Sequence, residues 1–225
     1  MGRLSSFCYN IIMITFGIYC ITGIVNLASA FFFKEGLRRI SKICLMPALL
    51  AFYFLGVERI LVFVIAALIL SWAGDIFLIN KEKQIFFQLG LAAFLASHIF
   101  YSIAFLTLAG SVNFPALIIS VVIAIPLGLA ILKLLNAKAP MKIPVTAYTV
   151  VIILMSMSAL QLMIAYLSSA GILIFSSSLV YIFSDTFMAY FLFNGKPRYF
   201  NFITMIPYIL AQGGIIMGLV LGFGG

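Results

Sequence analysis

Two aspartates stand deep inside apolar sequence. Asp75 falls in Leu70-Ser71-Trp72-Ala73-Gly74-Asp75-Ile76-Phe77-Leu78, and Asp185 in Phe183-Ser184-Asp185-Thr186-Phe187. The other acidic residues, Glu35, Glu58 and Glu82, lie in short polar stretches beside basic neighbours and read as solvated caps. An aspartate placed in a membrane costs about 2.5–3.5 kcal/mol on insertion scales, so it marks a functional site by default. The competing explanation is a polar clamp between helices, satisfied by serine or tyrosine hydroxyls. Two such residues tilt the reading toward chemistry. Neighbouring carboxyls resist ionising together, and a pair holding one proton can act as acid and base at once.

Other polar groups gather near the same depth. Asp75 lies six residues before Lys81 and Asp185 nine before Asn194, which helical rise converts to about 9 and 14 Å from that end of the bilayer. Lys42 opens the second apolar segment, close enough to reach Asp75 while its ammonium snorkels toward the headgroups. Asn201, Thr204, Tyr208 and Gln212 are spaced three, four and four, one face of a helix that should look into a polar interior. His98, the only histidine, has Phe94 one turn before it and Tyr101 one turn after. Without a second His or a Cys nearby it is a poor metal ligand, and it reads equally as a proton carrier or a hydrogen-bonded packing residue. Trp72 reads as lipid-facing rather than as a wall of the site. Cys8, Cys20 and Cys44 form no CxxC or Cys/His spacing and read as small apolar residues.

The elements that must position these groups follow from composition. Of 225 residues, 65% are hydrophobic and 8% charged, far too little polar surface for a water-soluble domain. The apolar runs are about 20 residues each, the length that crosses a hydrocarbon core, and lipid leaves the backbone no partner outside a helix. The fold class is therefore all-α, a polytopic membrane helix bundle forming a single integral domain over residues 1–225. Its spans fall near 7–33, 41–56, 59–79, 86–109, 113–135, 144–167, 171–193 and 199–222. Pro47 falls just after the first turn of the second. Pro115 suits the opening turn of the fifth, Pro126 and Pro207 predict kinks, and Gly195-Lys196-Pro197 reads as a turn. Asp75-Ile76-Phe77 and Asp185-Thr186-Phe187, four helices apart, form a faint parallel echo.

A net charge of +8 could suit nucleic acid, but the basic residues cap the spans, where they orient the protein and meet anionic lipid. Eleven Lys and Arg fall in the loops after odd-numbered helices, against Arg3 and Arg59 on the other side. The basic loops should then be cytoplasmic and both termini outside. Met1-Gly2-Arg3 with Ser6 imitates a myristoylation signal. Arg3 with Ala28-Ser29-Ala30 imitates a signal peptide, but the apolar run between is too long for one. Two aspartates with Pro47-Ala48-Leu49 imitate an intramembrane aspartyl protease. That motif needs glycine where Trp72 stands, and its PAL element should follow the second aspartate.

Taken in order, Lys42 to Pro47, the run around Asp75, Phe94 with Ala96, His98 and Tyr101, Phe183-Ser184-Asp185, and Tyr208 with Gln212 resemble the YhhN family of lysoplasmalogenase-like membrane proteins. The resemblance covers most of the chain from about residue 40. It implies an eight-helix hydrolase of the inner membrane in a bacterium, or of an endomembrane in a eukaryote. Such an enzyme cleaves the vinyl ether of lysoplasmalogens to a fatty aldehyde and a glycerophospho-base. Asp75 and Asp185 match the family's key aspartates. Lys42, His98, Tyr101, Asn201, Tyr208 and Gln212 are the expected substrate-binding residues, in a cavity with an apolar extension. The partners are then a lysophospholipid substrate and membrane lipids, with no nucleic acid, metal or organic cofactor called for. The competing class is a proton-coupled transporter of a small molecule or lipid, using the same aspartates as proton sites. An aqueous path to both faces would favour transport, and a pocket open at one end would favour hydrolysis.

Overall fold

The computed structural model describes residues 6–224, with side chains from 11 to 224. Arg3, the Met1-Gly2-Arg3 pattern, the Cys8 side chain and Gly225 lie outside the described residues. Eight α-helices follow in order: α1 Ser6–Phe31, α2 Glu35–Gly56, α3 Val62–Phe77, α4 Gln84–Ala109, α5 Phe114–Leu135, α6 Lys142–Tyr166, α7 Ser169–Asn194 and α8 Phe200–Phe223. Each is long and apolar enough to cross a membrane, α3 together with the 3-10 turn Leu78–Asn80 that continues it. The protein is an integral multi-pass membrane protein.

Local chemistry sets the helix ends. Asn113 caps α5 by accepting from Ala116 N at 3.0 Å, with proline in the opening turn. Ser168 caps α7 by accepting from Gly171 N at 3.1 Å. Gly195, at φ 115°, ends α7 in a conformation that L side chains rarely adopt, as the Gly-Lys-Pro turn predicted. Pro126 and Pro207 sit inside α5 and α8, which continue through them. The largest departure from expectation is α2, which begins at Glu35 rather than near residue 41. Counting apolar length misses this turn because it carries charge. Glu35 suits the positive N-terminal end of the helix dipole and pairs with Arg38 at 2.6 Å. Pro47 is thus about three turns into the helix instead of one.

The helices pack as a ring. α1 lies on α2 and α8, α3 pairs with α4, α4 meets α6, and α7 pairs with α8, which closes back onto α1 and α2. α5 stands outside against α6 and α7, presenting Ile118, Val122, Ile125 and Leu129 outward. The α7–α8 contact is made close by small residues. A Cβ on Gly218 would lie 2.6 Å from Ile174 Cγ1 and 3.1 Å from the Ala170 carbonyl, so the backbones approach as they do across small-residue membrane interfaces. This contact fixes Asp185 on α7 relative to Tyr208 on α8. Gly74 does the same for Asp75: the Phe94 ring occupies the space its Cβ would take, 2.7 Å away.

The loops after α1, α3 and α7 meet at one end, where Lys196 Nζ donates to Glu82 Oε1, Lys81 Nζ donates to Asn201 Oδ1, and the Phe33 ring packs on Tyr199. At the other end Glu58 N donates to Gly224 O and Asn113 N to Gln161 Oε1. A reporter fused after Gly225 should therefore give the signal of the face opposite the basic loops. The eleven-to-two charge split predicts that this is the outer face. A cytoplasmic signal there would overturn the orientation.

Candidate active site

Asp75 ends its helix against α2 and α8. It is 1% exposed, and both carboxyl oxygens are engaged: Oδ1 is 3.2 Å from Lys42 Nζ and Oδ2 accepts from Tyr208 OH at 2.7 Å. Lys42 does not snorkel. Its side chain is 7% exposed, because the extra turns of α2 carry the ammonium inward to the aspartate rather than out to the headgroups. An ammonium and a phenol donating to the two oxygens form the environment of an ionised carboxylate.

Asp185 is held differently. Tyr148 on α6 donates to its Oδ2, and His98 Nε2 on α4 lies 3.5 Å from the same oxygen. His98 Nε2 is also 2.8 Å from the Tyr148 hydroxyl. Since that hydroxyl donates to Asp185, its oxygen is left to accept from His98, which puts the ring proton on Nε2. His98 Nδ1 has no partner. The three groups form a chain from imidazole to phenol to carboxyl. Asp185 Oδ1 is the oxygen without a hydrogen bond from a described residue.

The two aspartates share a cavity. Its polar part is lined by Arg38, Lys42, Asp75, Lys81, Asp185, Asn201 and Tyr208, among others. It leaves about 20 Å³ in which the centre of a water molecule can move, enough for a water or two. A second, apolar cavity runs between α4, α6 and α7, lined by Phe87, Leu91, Phe94, Val145, Ile152 and Ala189, with about 30 Å³ of the same kind of space. Leu78, Phe94, Asp185 and Met188 line both. Asp185 therefore stands where the charged cavity meets the apolar one.

Behind this wall is a third network. Gln212 donates from Nε2 to Ser71 Oγ at 3.0 Å and Tyr181 OH at 2.7 Å, while its Oε1 accepts from Tyr101 OH at 2.9 Å. The Tyr181 ring packs edge-on to His98 and to Tyr208, centroids 4.7 and 5.8 Å apart, so it ties the two aspartate environments together. His98, Tyr101 and Gln212 line neither cavity and lie one layer back. Lys42, Asn201 and Tyr208 are on the lining. Trp72 is 36% exposed and its Nε1 donates to Ile43 O at 2.9 Å, away from both cavities. Sequence reasoning missed Tyr148, Tyr181, Arg38 and Lys81. Among the described residues no group of three His, Cys, Asp or Glu side chains is placed to hold a metal ion.

Fold and site together describe a polytopic α-helical membrane protein with two intramembrane aspartates, Asp75 buried and Asp185 partly so, on one basic-rimmed cavity. The family model described as YhhN family matches residues 37–219, most of the chain, and the protein belongs to that family. The match leaves out the whole of α1, which contributes no lining residue to either cavity. Comparisons with curated proteins and with solved structures gave no match.

Proposed function

We propose that this protein hydrolyses the vinyl ether bond of lysoplasmalogens, with Asp185 as general acid and Asp75 as the ionised partner. The observation that carries the assignment is the difference between the two carboxyls on one cavity. Asp75 is tied to a lysine, whereas Asp185 has no lysine or arginine paired with it among the described residues and borders the apolar space. YhhN membership is consistent with this reading.

A vinyl ether resists base and hydrolyses after protonation of its β-carbon. Asp185 Oδ1 delivers that proton to a chain lying in the apolar cavity. The cation that forms is shared between carbon and ether oxygen, and the Asp75 carboxylate stabilises it. Paired carboxylates of glycosidases handle a related cation. Water then adds to the cationic carbon and passes a proton to Asp75, giving a neutral hemiacetal. On collapse the hemiacetal hydroxyl returns its proton to Asp185, and Asp75 protonates the departing glycerol oxygen. One water is consumed, an aldehyde and an alcohol leave, and both aspartates regain their starting states. Tyr148 and His98 hold Asp185 Oδ2, which keeps the other oxygen for the substrate.

The apolar cavity must widen to take an alkyl chain. Met188, on the wall between the two cavities, is the flexible side chain suited to yield. Toward the opposite end Leu49, Phe52, Leu68, Phe105, Met155, Leu162, Ile215 and Leu219 are all at most 1% exposed. This apolar packing lies across the route a transported solute would need, and it favours hydrolysis over transport. Purified protein given a lysoplasmalogen should release fatty aldehyde, and none from the ester-linked lysolipid of the same headgroup. No aldehyde above a protein-free control would overturn the proposal.

A further inference from the structure

Three cations line the polar cavity, Arg38, Lys42 and Lys81, and two of them are paired with carboxylates. Arg38 pairs with Glu35 at 2.6 Å, Lys42 with Asp75 at 3.2 Å, and Lys196 with Glu82 at 2.5 Å. Lys81 lines the polar cavity, and no carboxylate among the described residues pairs with it. Its Nζ donates to Asn201 Oδ1 at 3.1 Å and lies 4.2 Å from the centroid of the Phe200 ring. Both contacts orient an ammonium and neither neutralises it. Burial holds the Lys81 pKa well below the usual lysine range, the nearby Lys42, Arg38 and Lys196 push the same way, and Glu82 opposes them. Arg38 is also incompletely used: Nε and Nη2 donate to Glu35, which leaves the Nη1 donors on a residue that lines the same cavity.

We infer that Lys81, oriented by Asn201 and flanked by Arg38, is a phosphate subsite that takes the phosphodiester of a lysophospholipid headgroup. The choice of ligand rests on the hydrolase reading. Lys81 is six residues beyond Asp75, a rise of about 9 Å along the helix and its last turn. A spare cation, a carboxyl pair and an apolar cavity thus follow one another across the site. Headgroup phosphate, ether bond and alkyl chain follow one another in the same order along a lysoplasmalogen. A phosphate at Lys81 sets the glycerol across the aspartates and directs the chain past Asp185.

The test is equilibrium binding to purified protein in non-ionic detergent. The probes are ester-linked lysophosphatidylethanolamine, which the proposed chemistry leaves intact, the monoacylglycerol of the same chain, and inorganic phosphate. Wild type should bind the lysolipid about tenfold or more tighter than the monoacylglycerol, as a charge-assisted contact to phosphate provides. Lys81→Met should erase that preference without weakening monoacylglycerol binding, and Lys81→Arg should keep most of it. Lys81→Met removes a half-buried unpaired cation, so it should melt no lower than wild type. Asn201→Asp gives Lys81 a carboxylate of its own and should weaken the lysolipid about as much, in a protein that keeps every cation. Equal lysolipid binding by wild type and Lys81→Met would overturn the subsite. Inorganic phosphate binding as tightly as the lysolipid would overturn its assignment to a lipid headgroup. A protein with the Lys81-dependent preference that releases no aldehyde loses the hydrolase reading and keeps the subsite. Aldehyde release without that preference does the reverse.

Discussion

Asp185→Asn should lower aldehyde release by about 10²–10⁴-fold, the usual contribution of general acid–base catalysis, while leaving the protein folded. The amide oxygen can still accept from Tyr148, so the hydrogen bond that places the residue survives. What is lost is the proton for the β-carbon. Asp75→Asn should cost a similar factor for the opposite reason, since an amide cannot carry the charge that stabilises the cation or take the proton from water. The double variant should be hardly slower than either single one, because the two act as a unit. A clamp between helices would tolerate either change with modest loss. Retention of more than about a tenth of wild-type turnover by one variant would remove that aspartate from the mechanism. The melting temperature separates the two singles: Asp185→Asn should sit close to wild type, whereas Asp75→Asn leaves Lys42 facing a neutral amide.

Much of this site can be read from depth along the sequence. Asp75 and Lys42 occupy matching heights on neighbouring helices, and the structure pairs them. The stripe on α8 faces inward, with Thr204, Tyr208 and Gln212 all buried. Tyr148 escapes a reading by residue type, because one tyrosine in an apolar helix looks like ordinary packing. Depth would have flagged it, since it lies six residues inside Lys142 as Asp75 lies six inside Lys81. Arg38 and the first turns of α2 escape the sequence for another reason. Apolar length assigns charged turns to loops, yet here the charged turns continue the helix and point Arg38 and Lys42 inward. Which side of Asp185 meets the apolar cavity depends on three helices converging, and no local pattern encodes that. The echo between the two aspartate segments corresponds to equivalent pairings, α3 with α4 and α7 with α8. It fails for the other halves: α1 lies on α2 and α8, while α5 is left at the periphery.

Lys42→Met should destabilise the protein strongly, and adding Asp75→Asn should restore most of that loss without restoring activity. Both side chains of the pair are nearly inaccessible, at 7% and 1% exposure, so solvent does little to screen their attraction. Removing one partner of a buried ion pair costs about 3–5 kcal/mol, because the remaining charge is left without compensation. In Lys42→Met the Asp75 carboxylate would keep only the Tyr208 hydroxyl. In the double variant both charges are gone, the asparagine can still accept from Tyr208, and methionine fills the volume of the lysine stem. The melting losses of the two singles should therefore sum to more than the loss of the double, the mark of two groups in direct contact. Thermal melts of the four proteins in one detergent, with aldehyde release assayed in parallel, measure both effects. Additive losses would mean that Lys42 and Asp75 act independently in the membrane protein, and Asp75 would then lack the ionised partner's role in the mechanism. Coupled stability with lost activity separates the two duties of Asp75: Lys42 keeps its charge in place, and the charge itself does the chemistry.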